Sequence, residues 1–268
     1  MKNQIIAFVV LVVASACSLA DEISLFIVSG QSNARQMYAY GVECGLRAGG
    51  DWENVRVYHA YRSGNWMFQW VDGVEGEYTA AQNFTEDLWA PDGSSGLQME
   101  IQKLEDEGHT VTIEGMFWFQ GEGDTGGGLH RREYQPRLTW MLNQLWDHYG
   151  DFDVVLTKID WNHDLLDDLL AIGRTPEDIE EVRAALQATA DDLGLGIMDS
   201  RDRKRIDVWH IADRDDPRGN YAVVMDLGAD EARLMIERNS CEGDLNGDGV
   251  LDVFDVFKYL EIFNAGCP

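Results

Sequence analysis

The chain has 268 residues, and 48 Asp and Glu against 21 Lys and Arg give it a formal net charge of −27. That surplus excludes a broad basic face for nucleic-acid phosphates and opposes docking on anionic lipid. With 45% hydrophobic and 10% aromatic residues, the chain has material for a large core, which excludes wholesale disorder and fits one sizeable domain with a small appendage.

In chain order, Lys2 opens a secretory pattern. An apolar run over residues 5–14 follows, and Ser18-Leu19-Ala20 offers small residues before a cut at Asp21. Residues 1–20 are therefore read as an export signal. The run is too short to span a bilayer comfortably. Lipoprotein processing at Cys17 is the alternative reading.

Residues 21–240 read as one domain. Apolar, β-branched runs predict buried strands over residues 23–29, 55–60, 111–119, 154–159 and 195–198. Helical stripes lie between them. One is Leu97, Ile101 and Leu104; another is Tyr134, Leu138, Met141, Leu142 and Leu145, with Pro136 near its start. A third helix opens Thr175-Pro176-Glu177-Asp178 and carries Ile179, Val182 and Leu186. Strands alternating with helices predict an α/β fold with a parallel sheet covered on both faces. Reactive groups in such folds collect where strands end.

Two strand ends stand out. The first runs Ser29-Gly30-Gln31-Ser32-Asn33, a turn able to present the Ser32 hydroxyl. Ser and Asn are equally the preferred helix caps, and this reading stays open. The second runs Phe119-Gln120-Gly121-Glu122-Gly123-Asp124, which on its own also reads as a sheet-end hydrogen-bonding cluster. Further on, Asp207 precedes His210 by three residues, so one short segment supplies both a base and the acid that orients it. His59, His109, His130, His148 and His163 have no comparable partner and read as surface or packing residues.

Residues 241–268 carry a separate signal. Asp244, Asn246, Asp248, Asp252 and Asp255 place oxygen ligands at positions one, three, five, nine and twelve of a loop with Gly249 at six. Val250 at seven would add its backbone carbonyl. This is a calcium-loop pattern, with Asp where Glu is usual at twelve. An ordinary Asp/Gly-rich turn is the alternative. Cys241 and Cys267 bracket the segment and are the natural disulfide pair of an exported chain, leaving Cys44 as a buried, unpaired thiol. The segment resembles one half of a dockerin-type domain, which implies structural Ca²⁺ and a cohesin-like or cell-surface partner.

Taken together, the GQSN turn, the WFQGEGD block and the D-x-x-H pair resemble the SGNH hydrolases, in particular their sialate O-acetylesterase-like branch with carbohydrate esterase family six and the acetylxylan esterases. The likeness spans roughly residues 22–235. It implies a three-layer α/β/α fold on a flavodoxin-like, parallel five-stranded sheet. It implies Ser32 as nucleophile, His210 as base and Asp207 as its orienting acid. The Ser32 N–H, the Gln120 side chain and the Gly96 N–H would then form the oxyanion hole. No cofactor is implied for catalysis. The chain departs from the pattern at Ala34, where Met is common after GQSN, at Ser95-Gly96-Leu97-Gln98, where F-G-P-E is frequent, and at Ile211.

The expected activity is removal of O-acetyl groups from carbohydrates by a secreted enzyme. An esterase for other esters and an inactive, calcium-dependent adhesion or scaffold module are the competing readings. Residues 151–192 hold twelve acidic and three basic residues. A neutral glycan meets no repulsion from such a surface, whereas an acidic sugar would need a local basic contact. Net charge therefore favours neutral acetylated glycans as substrate.

Overall fold

Strand β1 (Glu22–Gly30) is buried along nearly its whole length because Leu25, Phe26, Ile27 and Val28 have neighbours on both faces. The computed structural model describes residues 21–239, apart from 51 and 53, together with residue 257. The export signal, the calcium loop (Asp244, Asn246, Asp248, Val250, Asp252, Asp255) and the Cys241–Cys267 pair lie outside the described residues.

Four strands join β1 in a parallel sheet: β2 (Arg56–Tyr61), β5 (Thr110–Phe119), β6 (Asp153–Lys158) and β7 (Gly196–Asp199). Their order is β2-β1-β5-β6-β7. A short antiparallel pair, β3 (Val71–Asp72) and β4 (Thr79–Ala80), stands apart. The register sets Gly30 beside both Tyr61 and Phe119. The order of strands thus reverses between β1 and β5, the switch point where open α/β sheets form their crevice.

Helices α1 (Gln36–Gly49) and α6 (Ala222–Asn239) pack along each other. Crossover helices α2 (Gly96–Asp106), α3 (Gly128–Tyr149) and α5 (Pro176–Leu193) belong on the other face, since parallel connections are right-handed. A short α4 (Leu166–Ala171) precedes α5. The three-layer α/β/α expectation holds. Close approach of α1 to α6 rests on small residues. A side chain on Gly41 would overlap the Met225 backbone, and one on Gly228 the Tyr38 carbonyl. Beneath this contact Tyr38 Oη donates to the buried Glu231 carboxyl, which also accepts from Thr157 at 2.7 Å. At the far end of α6, Arg238 Nε donates to Asp153 at 2.9 Å, and its Nη2 to the Gly194 carbonyl at 2.6 Å.

Helix α5 starts as expected. Thr175 accepts from the Asp178 N–H at 3.2 Å, and Asp178 accepts from the Thr175 N–H at 2.8 Å, a reciprocal cap. Two details differ from the sequence reading. Helix α3 begins at Gly128, so Pro136 sits inside it rather than at its start. Cys44 is exposed on α1, not buried, because Gly41, Val42, Gly45 and Leu46 are the residues this part of the helix turns inward. Among the described residues no helix is long and apolar enough to cross a membrane.

Candidate active site

The GQSN turn has four residues with four separate tasks. Gly30 has φ +138°, and a Cβ there would overlap the Phe119 backbone, so only glycine lets β1 turn this close to β5. Gln31 is buried, and its Oε1 accepts from the Gly123 N–H at 3.2 Å. Ser32 opens a single 3-10 turn, Ser32–Ala34, before α1. Neither that turn nor α1 has a side-chain cap. The helix-cap reading of Ser32 and Asn33 is thereby excluded, since both side chains point to other partners.

Ser32 Oγ lies 3.0 Å from His210 Nε2. On its other side, His210 Nδ1 lies 2.8 Å from Asp207 Oδ2. Asp207 Oδ1 accepts the backbone N–H groups of Trp209 at 2.9 Å and His210 at 2.8 Å. Partial burial works against ionising Asp207, but these hydrogen bonds outweigh it and hold its carboxyl below the usual range. The Asp207–His210 segment is clamped in turn. The Ile206 N–H donates to the His210 carbonyl at 3.0 Å, and the Asn162 N–H to the Val208 carbonyl at 2.9 Å.

Asn33 ties this segment to the sheet. Its Nδ2 donates to Glu122 Oε1 at 2.7 Å and to the Trp209 carbonyl at 3.1 Å, while its Oδ1 accepts the Ile211 N–H at 3.0 Å. Ile211, where the sequence departs from the motif pattern it resembles, is fully buried against this contact. Burial pushes the Glu122 carboxyl upward, against the Asn33 hydrogen bond. Three sequence-remote segments thus converge where the sheet switches direction.

Two expected oxyanion donors do not join them. Gln120 is fully buried, and its Nε2 donates to Asp124 Oδ2 at 2.5 Å and to the Asn65 carbonyl at 3.1 Å. Those acceptors hold its amide hydrogens inside the loop. Burial pushes the Asp124 carboxyl up to about 7, and Asp124 also accepts the Met67 N–H at 3.0 Å. The Gln120–Asp124 block therefore braces the loop, as the hydrogen-bonding-cluster reading had it. Gly96 lies in the first turn of α2 against Tyr58 and does not line the cleft.

The cleft beside Ser32 holds about 270 Å³. Ser63, Gly64, Glu122, Gly123, Ile172, Arg174 and Trp209 line it together with Ser32 and His210. Gly64 has a left-handed φ of +74°, and its N–H makes no hydrogen bond among the described residues. Sequence reasoning missed it, although β2 also runs from an apolar strand into a Gly-containing turn, Arg62-Ser63-Gly64-Asn65. A larger cavity of about 570 Å³ lies behind the clamp, lined by Trp161, Arg203 and Asp213, and contains none of the three relay residues. Of the remaining histidines, His59, His130 and His148 lie against Tyr61, Trp66 and Trp89, as expected. His163 departs from the expectation: it stacks on Trp161 and its Nε2 lies 3.2 Å from Asp160, a second Asp-x-x-His pair, which faces the larger cavity and meets no serine there.

Fold and geometry together define an α/β/α protein with a serine–histidine–aspartate relay at the switch point of a parallel sheet. No family model and no curated protein matches the chain. Its fold is similar to that of a solved protein from Arabidopsis thaliana, over 83% of this chain and 100% of that one, at TM-score 0.53 and 12% identity. More distant likenesses include a lipase/acylhydrolase from Enterococcus faecalis (81% and 96% covered, TM-score 0.48, 15% identity) and a carbohydrate acetylesterase from Sinorhizobium meliloti (80% and 97%, TM-score 0.45, 12%). Only the first of these likenesses, above a TM-score of 0.5, bears on the fold.

Proposed function

We propose that the chain is a serine ester hydrolase of the SGNH type that removes O-acetyl groups from carbohydrates through an acyl-enzyme. The observation that carries the reading is the continuous relay from Ser32 through His210 to Asp207. His210 Nε2 takes the Ser32 proton as Oγ attacks the acetyl carbonyl carbon. Asp207 fixes the imidazole tautomer and stabilises the imidazolium that forms. The tetrahedral intermediate collapses as His210 returns the proton to the departing sugar oxygen. Water, activated by His210, then attacks the acetyl-Ser32 ester and releases acetate.

For the oxyanion we assign the backbone N–H groups of Ser32 and Gly64 in place of Gln120 and Gly96. The support is position: Gly64 lines the cleft at the end of the strand next to β1. The carbohydrate specificity rests on the motif resemblance. Export through residues 1–20 rests on the signal pattern, structural Ca²⁺ at the 244–255 loop on the spacing of its oxygen ligands, the Cys241–Cys267 disulfide on the cysteines that bracket the tail, and a surface or cohesin-like partner on the dockerin-type resemblance.

Acetate release from acetylated xylan, wild type against Ser32→Ala, tests the activity. Release independent of Ser32, or none from any short-chain ester, removes the esterase reading. Calorimetric titration of the full chain with Ca²⁺ tests the loop, and absence of binding with both cysteines intact rejects it.

A further inference from the structure

We propose that Arg62 and Asp87 form a brace that positions the Gly64 N–H for the oxyanion, so that an ion pair outside the cleft governs the rate of acyl transfer. The assignment rests on the esterase reading above and on Gly64 as an oxyanion donor. It starts from a mechanical problem. Strand β2 is the edge of the sheet and, among the described strands, pairs with β1 alone. Beyond Tyr61 it runs into the turn Arg62-Ser63-Gly64-Asn65, whose middle residues are exposed and line the cleft. A left-handed glycine has no side chain by which the turn could be held. Yet an oxyanion donor has to stand still, because its advantage over water is that it needs no reorganisation as charge develops.

The turn is held at its ends. Towards β1, the Arg62 N–H donates to the Gly30 carbonyl at 2.9 Å. At the other end, the Asn65 carbonyl accepts from Gln120 Nε2 at 3.1 Å, and the Asn65 N–H reaches back to the Arg62 carbonyl at 3.3 Å. The Arg62 guanidinium then grips both oxygens of Asp87: Nε donates to Oδ2 at 2.7 Å and Nη2 to Oδ1 at 2.6 Å. Nη2 also donates to Glu86 Oε2 at 2.9 Å. A two-pronged pair of this kind fixes the direction of the arginine as well as its distance.

Asp87 is a firm anchor. It belongs to a single π-helical turn, Phe84–Leu88, closed by the Trp89 N–H on the Phe84 carbonyl at 2.9 Å. Such turns are rare and are frequent at functional sites. Phe84 and Leu88 are fully buried. Tyr58 of β2 donates to the Asp87 carbonyl at 2.7 Å, and Tyr149 of α3 to the Leu88 carbonyl at 2.6 Å. The brace therefore runs from β2 to the π turn and back to β2. Neither Arg62 nor Asp87 lines the cleft, so both are positioning residues, acting through Gly64.

The test measures kcat and KM on p-nitrophenyl acetate for Arg62→Gln, Asp87→Asn and the double variant. Ser32→Ala is run alongside, and Arg238→Gln serves as control, since it breaks a different ion pair, with Asp153, at the far end of α6. Loss of an oxyanion donor lowers kcat about 10²–10³-fold, and its misplacement by part of that. Each single variant should lower kcat about 10- to 100-fold with KM within about twofold of wild type. Arg62→Lys should recover part of the loss, and the double variant should lose no more than the worse single one. The pH profile of kcat/KM should stay that of wild type, because His210 and Asp207 are untouched. Arg238→Gln should lower Tm and leave kcat alone. Wild-type kcat in folded Arg62→Gln or Asp87→Asn overturns the assignment. So does a shifted pH profile, which would place the effect on His210, or an equal loss of kcat in Arg238→Gln, which would make it general loosening. If Arg62→Gln does not fold, the isosteric Asp87→Asn carries the test. Hydrolysis that does not depend on Ser32 removes the esterase reading and this one with it; Ser32-dependent hydrolysis that the brace variants leave unchanged removes the brace alone.

Discussion

Asn33 Nδ2 and Glu122 Oε1 meet at 2.7 Å, and through this bond the residue after Ser32 joins the end of β1 to the end of β5. Asn33 also holds the backbone on both sides of His210, at Trp209 and Ile211. The distance from His210 to Ser32 is thus set largely by one amide side chain.

Asn33→Ala should therefore leave the fold intact while loosening the relay. A misplacement of about 1 Å at a reacting centre lowers rate by roughly 100-fold. We expect kcat on p-nitrophenyl acetate to fall about 10- to 100-fold with little change in KM, and circular dichroism to be unchanged. A variant with wild-type kcat would show that the 206–212 clamp alone holds His210.

Gln120→Ala separates bracing from oxyanion stabilisation. Its removal leaves Asp124 short of a buried hydrogen-bond donor, an effect of about 1–3 kcal/mol on stability. The expected result is a lower Tm and less than about tenfold loss of kcat in the folded enzyme. A loss of about 10²–10³ in kcat at unchanged Tm would return Gln120 to the oxyanion hole.

Stability should depend on pH through Glu231. Burial pushes its carboxyl from the ordinary value of 4.5 up to about 8. Below pH 4.5 folded and unfolded chains both hold this proton. Between 4.5 and 8 only the folded chain does, so stability falls as pH rises and the contribution is lost above 8. Asp124, at about 7, acts in the same direction over a narrower range. Comparing Tm of wild type and Glu231→Gln at pH 5 and pH 8 checks this. The substitution should gain on wild type by a few kcal/mol across the window. Parallel curves for the two proteins would contradict it.

The seam between α1 and α6 makes a steric prediction. A Cβ on Gly228 meets the Tyr38 carbonyl and the Val42 N–H, both backbone. Neither can swing aside, so Gly228→Ala should lower stability by about 2 kcal/mol or more. Thermal unfolding reads this directly; an unchanged Tm would mean that the helices can slide apart without loss.

The parts of this fold that the sequence made legible are those where apolar burial is continuous. Leu25–Val28 and Met116–Phe119 are buried on both faces, and such runs are hard to read as anything but central strands. Helices α1 and α6 do carry buried stripes, Tyr38, Val42 and Leu46 on one and Val224, Leu227 and Met235 on the other, but their mutual contact runs through Gly41, Gly45 and Gly228, which no apolar pattern marks. Within the site, Ser32, Asp207 and His210 were legible only through the motif resemblance, since Asp160 and His163 stand at the same interval as Asp207 and His210. Gln120 was misplaced because spacing cannot say which way an amide points, and here Asp124 and the Asn65 carbonyl decide it. Gly64 was unreadable for another reason. It reaches the cleft from a connection far from Ser32 in sequence, and a lone glycine in a turn carries no pattern.

Arg238, close to the end of α6, grips Asp153 and the Gly194 carbonyl, beside the starting ends of β6 and β7. Glu22 begins β1 at that same pole, since all five strands run in one direction. Ser32 follows the opposite end of β1, one strand length of about 30 Å away. Anything joined beyond Asn239 or ahead of Asp21 is therefore attached at the pole opposite the cleft. Immobilised through either end, on a support or a neighbouring module, the domain would hold its cleft outward. A bulky polymer could then reach it without passing the anchor.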